Sequence, residues 1–426
     1  MKLINLSTRI SLEPWKVILI VMVIALFCWT HPSLALNFGK TGAFFGIQPS
    51  CPLAKPYAEL HEAFIPMSVV WSPDGKYIAD MGMYDDVIHI WDVDKKKIVH
   101  IIQEKGFHSP NVAPDRHAIA WSPDGRYLAA CTFKEVMTRI WDTTTWQQVA
   151  TTPLPKDRAG SCISPIFSPD GQYFAYADDY QGDVFVYSTA TWHLFAQTSF
   201  KKPDNDKSLP KVSHSVYSGE RITFEPNGNI IAIAGLEYVN DNIDKDISGV
   251  VFWDVRQPPS NVGPSFPGQI FKVSGSGPLI SNPSYPSGLP SPRLHLQYPS
   301  HIRDIAFRPD GQELAIGTAA PSTFIWDVNN EKLIASPLPE MLKVEGEIKT
   351  LVYTADERYL IANREGNGCL PYPGEIYFID AKKHEVIDSL TVSNYGGLGY
   401  NSARNAIAVG NYSLLGGFKL YIWQIQ

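Results

Sequence analysis

A nine-residue phrase that recurs along the chain constrains its fold more than any other feature. It reads WSPDGKYIA from Trp71 and WSPDGRYLA from Trp121, and further copies start at Phe167, Phe224, Phe307, Tyr353 and Tyr400. An alanine follows the leading aromatic residue by eight positions in six of the seven copies. Because self-similarity is the signature of repeat architectures, we expect one repeat assembly rather than the roughly three domains that this length would otherwise suggest.

Each copy predicts a β-hairpin followed by two more strands. The Pro-Asp-Gly or Pro-Asn-Gly segment supplies the turn, since Pro presets φ and Gly accepts a positive φ. A second alternating apolar run reaches Trp-Asp or a related pair 19 to 29 residues after the leading aromatic residue, and such runs are typical of strands. A turn and a short strand follow, as in KKIVHII at 96–102. The chain is therefore predicted to be all-β, a seven-bladed β-propeller of four-stranded antiparallel blades.

The Trp-Asp pairs make residues 63–426 resemble the WD-repeat β-propeller family, whose signature is an SPDG-like turn and a strand that ends in Trp-Asp. The structural repeat residues are Trp91, Asp92, Trp141, Asp142, Trp253, Asp254, Trp326, Asp327 and, in a degenerate copy, Trp423. The TolB-type propellers also repeat SPDG, but the Trp-Asp endings and the seven units favour the WD type. The family's hydrogen-bonded network would use turn aspartates such as Asp86 and Asp183, although the chain contains no Gly-His dipeptide.

The two ends of the chain predict how the ring closes. The sequence ends directly after KLYIWQIQ, the third predicted strand of the seventh unit. Residues 36–62 precede the first repeat and are predicted to be a strap whose strand completes the seventh blade. Closure of this kind would cover an otherwise exposed sheet edge.

The first 35 residues have the pattern of a signal peptide. Basic residues precede an unbroken apolar run at 17–29, and Ser33 and Ala35 are small residues at the positions that a signal peptidase reads. The run is short for a membrane span of about 20 residues. We therefore predict an exported protein, periplasmic or extracellular. The alternative is an uncleaved signal anchor, in which case residues 17–29 would be the predicted contact with the membrane.

Four cysteines remain after removal of residues 1–35. Cys51, Cys131, Cys162 and Cys369 are compatible with two disulfides in an oxidising compartment, with three possible pairings, or with isolated buried thiols. Cys131 and Cys162 fall in adjacent predicted blades, and Cys51 and Cys369 could meet across the seventh and sixth blades.

The residues beyond seven standard units lie in insertions. The largest, 258–300, is rich in Pro, Ser and Gly and low in charge, so it cannot build a core of its own. We expect a loop or a strap over one face, either a partner-binding element or a tolerated insertion.

Motifs for catalysis or cofactor binding are absent from the sequence. His61, His108, His214 and His301 each precede a leading aromatic residue, but they lack metal-ligand spacing, so we expect neither a metal nor a cofactor. The sequence also shows no repeated polar residue at the starts of the predicted inner strands. A propeller enzyme that uses the central channel, a hydrolase or a quinone-cofactor dehydrogenase, is thus only an alternative.

The formal net charge of −7 argues against a nucleic-acid partner, because no basic surplus exists to replace phosphate counterions. Turns and packing account for the recurring residues, which leaves the variable loops for function. We therefore predict a non-enzymatic scaffold that binds a protein partner, whose identity the sequence does not specify, through its loop faces.

Overall fold

The computed structural model of the chain describes residues 58–62, 66–82, 86–104, 106–107, 117–132, 137–153, 162–178, 183–198, 217–237, 247–256, 271–273, 294–297, 302–319, 322–338, 346–365, 374–392, 396–413 and 417–425. The predicted signal peptide lies outside these residues. The secondary-structure elements are strands, and no helix among the described residues has the length and apolarity of a membrane span.

The strands form seven sheets, as the repeat predicts. Strand β1 (Ala58–Glu62) precedes the first repeat. Blade 1 contains β2 (Pro66–Trp71), β3 (Tyr77–Gly82), β4 (Val87–Asp92) and β5 (Lys97–Gln103). Blade 2 contains β6 (Ile119–Trp121), β7 (Tyr127–Thr132), β8 (Met137–Asp142) and β9 (Gln147–Pro153). Blade 3 contains β10 (Cys162–Phe167), β11 (Tyr173–Asp178), β12 (Val184–Ser188) and β13 (Leu194–Gln197).

The remaining blades follow the same order, with one exception in the fourth. Blade 4 contains β14 (Tyr217–Phe224), β15 (Ile230–Glu237), β16 (Ile247–Asp254), β17 (Phe271–Val273) and β18 (Leu294–Gln297). Blade 5 contains β19 (Ile302–Phe307), β20 (Glu313–Thr318), β21 (Thr323–Asp327) and β22 (Lys332–Leu338). Blade 6 contains β23 (Ile348–Tyr353), β24 (Tyr359–Arg364), β25 (Gly374–Asp380) and β26 (Glu385–Val392). Blade 7 contains β27 (Leu398–Asn401), β28 (Ala406–Ser413), β29 (Gly417–Gln424) and β1.

Strand β1 closes the ring, which confirms the predicted closure by an N-terminal strand, while residues 36–57 of the predicted strap lie outside the described residues. Strand β1 pairs antiparallel with β29, with Leu60 opposite Leu420 and Glu59 opposite Tyr421. Leu60 is fully buried in the cluster between blades 7 and 1. The outer edge of blade 7 is therefore covered by a strand from the other end of the chain.

Part of the Pro-, Ser- and Gly-rich insertion belongs to blade 4, which differs from the expected loop or strap. Strand β18 pairs antiparallel with β16, and β17 adds a fifth strand parallel to β18. Main-chain hydrogen bonds can extend a sheet without a hydrophobic core of the insertion's own. The other residues of 258–300, apart from 271–273 and 294–297, lie outside the described part of the chain.

Seven hydrophobic clusters, one between each pair of neighbouring blades, hold the ring together. Each places the repeated alanine of one blade in the same cluster as the Trp-equivalent residue of the next, for example Ala79 with Trp141 and Ala175 with Trp253. In the degenerate repeats, Ile379 shares a cluster with Ala315, and Trp423 with Ile361. The small residue leaves room for a large side chain from the adjacent sheet.

Glycines bring blades 7 and 1 into close contact. A Cβ added at Gly397 would lie 2.4 Å from the carbonyl oxygen of Met67, and one at Gly399 would lie 2.7 Å from that of Val69. The N–H of Gly397 donates to the carbonyl of Pro66 at 3.0 Å. The closing seam therefore contains direct backbone contact between the two blades.

Candidate functional site: the central channel

The repeated aspartates stabilise turns. Backbone N–H groups two or three residues later donate to them at 2.8–3.0 Å, in the pairs Lys95 to Asp92, Thr144 to Asp142, Arg256 to Asp254 and Asn330 to Asp327. Side-chain hydrogen bonds from Lys95 and Thr144 lower the pKa of Asp92 and Asp142. These carboxylates act as turn caps.

The Pro-Asp-Gly turns use their aspartates in the same way. The Ser72 hydroxyl donates to Asp74 at 2.6 Å, and the second and third repeats have the same bond. The turns after the first and third strands of each blade lie on one face, which we call the turn face. Its arginines pair with turn aspartates at 2.5–2.7 Å, in Arg256 with Asp254, Arg308 with Asp310, Arg358 with Asp356 and Arg404 with Asp94.

The repeated tryptophans differ in their hydrogen bonds. In blade 1 the Trp91 indole N–H donates to Asp80 Oδ2 at 2.6 Å, and His89 Nδ1 lies 3.7 Å from Asp80 Oδ1. The turn residue Asp86 instead accepts the N–H of Gly106 at 3.1 Å, and the Asp183 carbonyl accepts the N–H of Asp178. The indole nitrogen of Trp253 has no hydrogen-bond partner among the described residues.

Two of the four cysteines are joined. Cys131 of β7 and Cys162 of β10 form a disulfide between blades 2 and 3, with 5.3 Å between their Cα atoms. Both residues are fully buried. Cys51 and Cys369 lie outside the described residues.

Most of the four histidines that precede leading aromatic residues lie outside the described chain. His108, His214 and His301 are not among the described residues, and the backbone of His61 lies in β1 at the outer edge of blade 7. Within the described ranges, no three His, Cys, Asp or Glu residues are grouped as metal ligands.

Five of the inner strands, β2, β10, β14, β19 and β23, contain a register shift of the β-bulge type. In β2, β14, β19 and β23 the residue four positions before the leading aromatic residue is skipped in the pairing, namely Met67, Glu220, Arg303 and Lys349. The register of β10 shifts between Ile163 and Ile166. Bulges re-aim side chains and are over-represented beside active sites.

The residue three positions before the leading aromatic residue is polar in five blades: Ser68, Ser164, Arg221, Asp304 and Thr350. The expectation that the starts of the inner strands carry no repeated polar residue is therefore wrong. Alignment of the repeats on the leading aromatic residue is the sequence signal that identifies this position, three residues upstream.

Asp304 brings four blades together. Its Oδ2 accepts the N–H of Leu351 in blade 6 at 2.6 Å, and its Oδ1 lies 3.5 Å from Nε2 of His117, which reaches it from blade 2 across the channel. Burial raises the pKa of Asp304, while His117 in its protonated form and Arg221 in blade 4 oppose that rise. Nε2 of His117 makes no hydrogen bond within the described residues, so its contact with Asp304 is electrostatic.

A charged network lies beside Asp304 on the face where the inner strands begin, which we call the loop face. Arg303 Nε is 3.1 Å from Glu347 Oε2, and Lys349 contacts Glu347 and lies 3.7 Å from Glu365. Burial alone would raise the pKa of Glu347, but Lys349 and Arg303 lower it. The side chains of Arg303, Glu347 and Lys349 are 22–31% exposed, so this network, which we call the channel mouth, is accessible to a partner.

Below the channel mouth is a cavity of about 480 Å³, which blades 3 to 6 line together with His117. Its lining includes Ile222, Phe307 and Val352, and Pro169, Pro226 and Pro309 lie at the turn-face end. Asp304, His117 and Ser164 supply polar groups. The volume is within the range of about 300–1,000 Å³ for small-molecule sites.

Comparison with known proteins gives one family match. Residues 56–92, which include β1 and most of blade 1, match the WD40 family, described as WD domain, G-beta repeat. A search of curated proteins finds no match for the chain. Together with the seven-bladed ring and its Trp-Asp strand ends, this match supports the WD-repeat β-propeller family.

Proposed function

We propose that the protein is a non-enzymatic scaffold that binds a protein partner through its loop face. WD40 propellers are commonly protein-interaction scaffolds. The observation that carries the proposal is the different use of charge on the two faces. Arginines of the turn face form separate pairs with aspartates of their own turns, whereas the channel mouth joins Arg303 of blade 5 to Glu347 and Lys349 at the start of blade 6 in one partly exposed network.

Charge reversal at the channel mouth tests this proposal. The full chain is used to capture partners from envelope extracts, and the wild type is compared with the double variant Arg303→Glu/Lys349→Glu and the turn-face control Arg358→Glu. The proposal is supported if a protein captured by the wild type and by Arg358→Glu is not captured by the double variant. The melting temperatures of both variants should equal that of the wild type, so that misfolding does not explain the loss. Loss with Arg358→Glu alone would move the binding surface to the turn face.

We further propose that the chain is exported. The buried disulfide between Cys131 and Cys162 supports this, because disulfides persist in oxidising compartments. N-terminal sequencing of secreted protein should find Leu36 as the first residue, and non-reduced peptide mapping should recover the Cys131–Cys162 pair. A secreted chain that starts at Met1 would contradict cleavage, and free thiols at both positions would remove this support for export.

A hydrolase is a second candidate, because Ser164, His117 and Asp304 line the same cavity. Ser164 also has a φ of 54°, a strained conformation for a residue other than glycine. A fluorophosphonate probe tests this directly: the Ser164 hydroxyl would attack phosphorus, fluoride would leave and His117 would accept the proton. Labelling that Ser164→Ala abolishes would favour the enzyme, and an unlabelled wild type would favour the scaffold.

A further inference from the structure

The cavity below the channel mouth has the chemistry of a small-molecule site, independently of partner binding at the loop face. Its lining includes the apolar residues Ile166, Ile222, Phe224, Phe307 and Val352. The buried carboxyl of Asp304 lies at the end nearest the loop face. A ligand with an apolar body and one polar end would match this arrangement of apolar and polar lining residues. Small-molecule pockets bind their ligands through apolar contacts and orient them by a few polar groups.

The polar end offers hydrogen-bond acceptors. Oδ2 of Asp304 already accepts the N–H of Leu351, while Oδ1 faces Nε2 of His117 at 3.5 Å. This Nε2 is buried and has no hydrogen-bond partner among the described residues. A neutral imidazole presents one ring nitrogen as an acceptor. A ligand with several donors on one atom could therefore bond to both side chains.

Charge also favours a cationic ligand. Burial raises the pKa of Asp304 because the carboxylate loses hydration. Arg221 opposes that rise, but its Nε donates to the carbonyl oxygen of Arg303 at 2.8 Å. A ligand cation within hydrogen-bond distance would stabilise the ionised carboxylate more than a neutral ligand can, since charge-assisted hydrogen bonds are about twice as strong as neutral ones.

We propose that the central cavity binds a small apolar primary amine, with its ammonium group between Asp304 and His117 and its apolar body along the walls that blades 3 to 6 provide. The ammonium supplies three donors, enough for Oδ1 of Asp304 and Nε2 of His117 together. An anionic ligand is excluded from this position by Asp304, and a neutral alcohol would lack the charge interaction.

Titration of the full chain with 2-phenylethylamine tests the proposal, with 2-phenylethanol and 3-phenylpropanoate as probes of similar apolar body. Binding is measured by calorimetry. The amine should bind roughly tenfold or more tightly than the alcohol, and the carboxylate more weakly than either. Asp304→Asn should reduce the affinity for the amine to that for the alcohol and leave the affinity for the alcohol unchanged.

Two variants control for folding and position. His117→Ala should weaken amine binding without loss of the melting transition, which keeps the test valid if Asp304→Asn misfolds. Asp74→Asn, in a turn outside the cavity, should bind the amine like the wild type. The proposal is overturned if no probe binds, if the amine and the alcohol bind equally, or if Asp304→Asn keeps the preference for the amine.

Discussion

At the scale of single residues, the repeated large side chains pack against small ones of the preceding blade. Trp141 shares a cluster with Ala79, and Trp253 with Ala175. The repeated tryptophans differ in the hydrogen bonds of their indole N–H groups. The indole N–H of Trp91 donates to buried Asp80, while that of Trp253 has no partner among the described residues. Equivalent positions in the repeat therefore contribute differently to stability.

This difference predicts unequal effects of a matched substitution. Trp91→Phe and Trp253→Phe both remove part of a buried ring, but only the first deprives a buried carboxylate of a donor. Trp91→Phe should therefore lower the free energy of unfolding by about 1–3 kcal/mol more than Trp253→Phe. Urea denaturation of the two variants measures this, and equal losses would contradict a stabilising role for the bond to Asp80.

A second prediction concerns Asp304 and pH. Burial raises its folded-state pKa above the unfolded value, so its stabilising contribution is present below the unfolded pKa of about 3.9 and is lost as the pH rises through the folded pKa. The free energy of unfolding of Asp304→Asn, relative to wild type, should therefore increase as the pH rises above about 4, until Asp304 is ionised in the folded protein as well.

An aspartate with the opposite shift is the control. Hydrogen bonds from Lys95 lower the pKa of Asp92, so its stabilising contribution appears above the unfolded pKa and is lost as the pH falls. Asp92→Asn should lose stability relative to wild type as the pH rises from the acid range towards the unfolded pKa of about 3.9, and the difference should be constant at higher pH. If the free energies of unfolding of the two variants, relative to wild type, changed with pH in the same way, the two pKa shifts would not account for the pH dependence of stability.

At the scale of elements, the strand β1 joins the two ends of the chain, because it completes blade 7 by pairing with β29. Leu60 faces the cluster between blades 7 and 1, and its neighbour Glu59 is exposed and paired with Lys419 at 3.0 Å. The two residues lie on opposite faces of one strand and separate core packing from a surface ion pair.

Leu60→Ala should lower the free energy of unfolding by about 2–5 kcal/mol, as expected for a buried leucine. Glu59→Ala should lower it by less than about 1 kcal/mol, because exposed ion pairs contribute little. Chemical denaturation with tryptophan fluorescence compares them. An equally small effect of both substitutions would mean that the ring does not depend on closure by β1.

The sequence predicted the elements that the repeat phrase marks, including the closing strand. It did not predict β17 and β18, because the Pro, Ser and Gly residues around them obscure the strand pattern. The convergence on Asp304 was also missed: His117, Arg221 and Leu351 come from three other blades, and only the closed ring brings them together. Position in the repeat identifies a polar residue, whereas its partners depend on ring geometry.

At the scale of the whole molecule, the ring separates two kinds of surface. The turn face is built from the repeat phrase, and its arginines are paired with turn aspartates. The loop face carries the channel mouth formed by Arg303, Glu347 and Lys349. A rigid scaffold whose loop face carries a charged network that spans two blades suits the binding of a partner on that face.

Hydrogen–deuterium exchange of the full chain, alone and with its captured partner, tests this account most directly. Partner binding should slow exchange at the loop-face ends of β19 and β23, around 302–304 and 347–350, and leave the turns at 72–77 and 354–359 unchanged. Protection confined to those turns, with unaltered exchange at the channel mouth, would contradict the loop face as the binding surface.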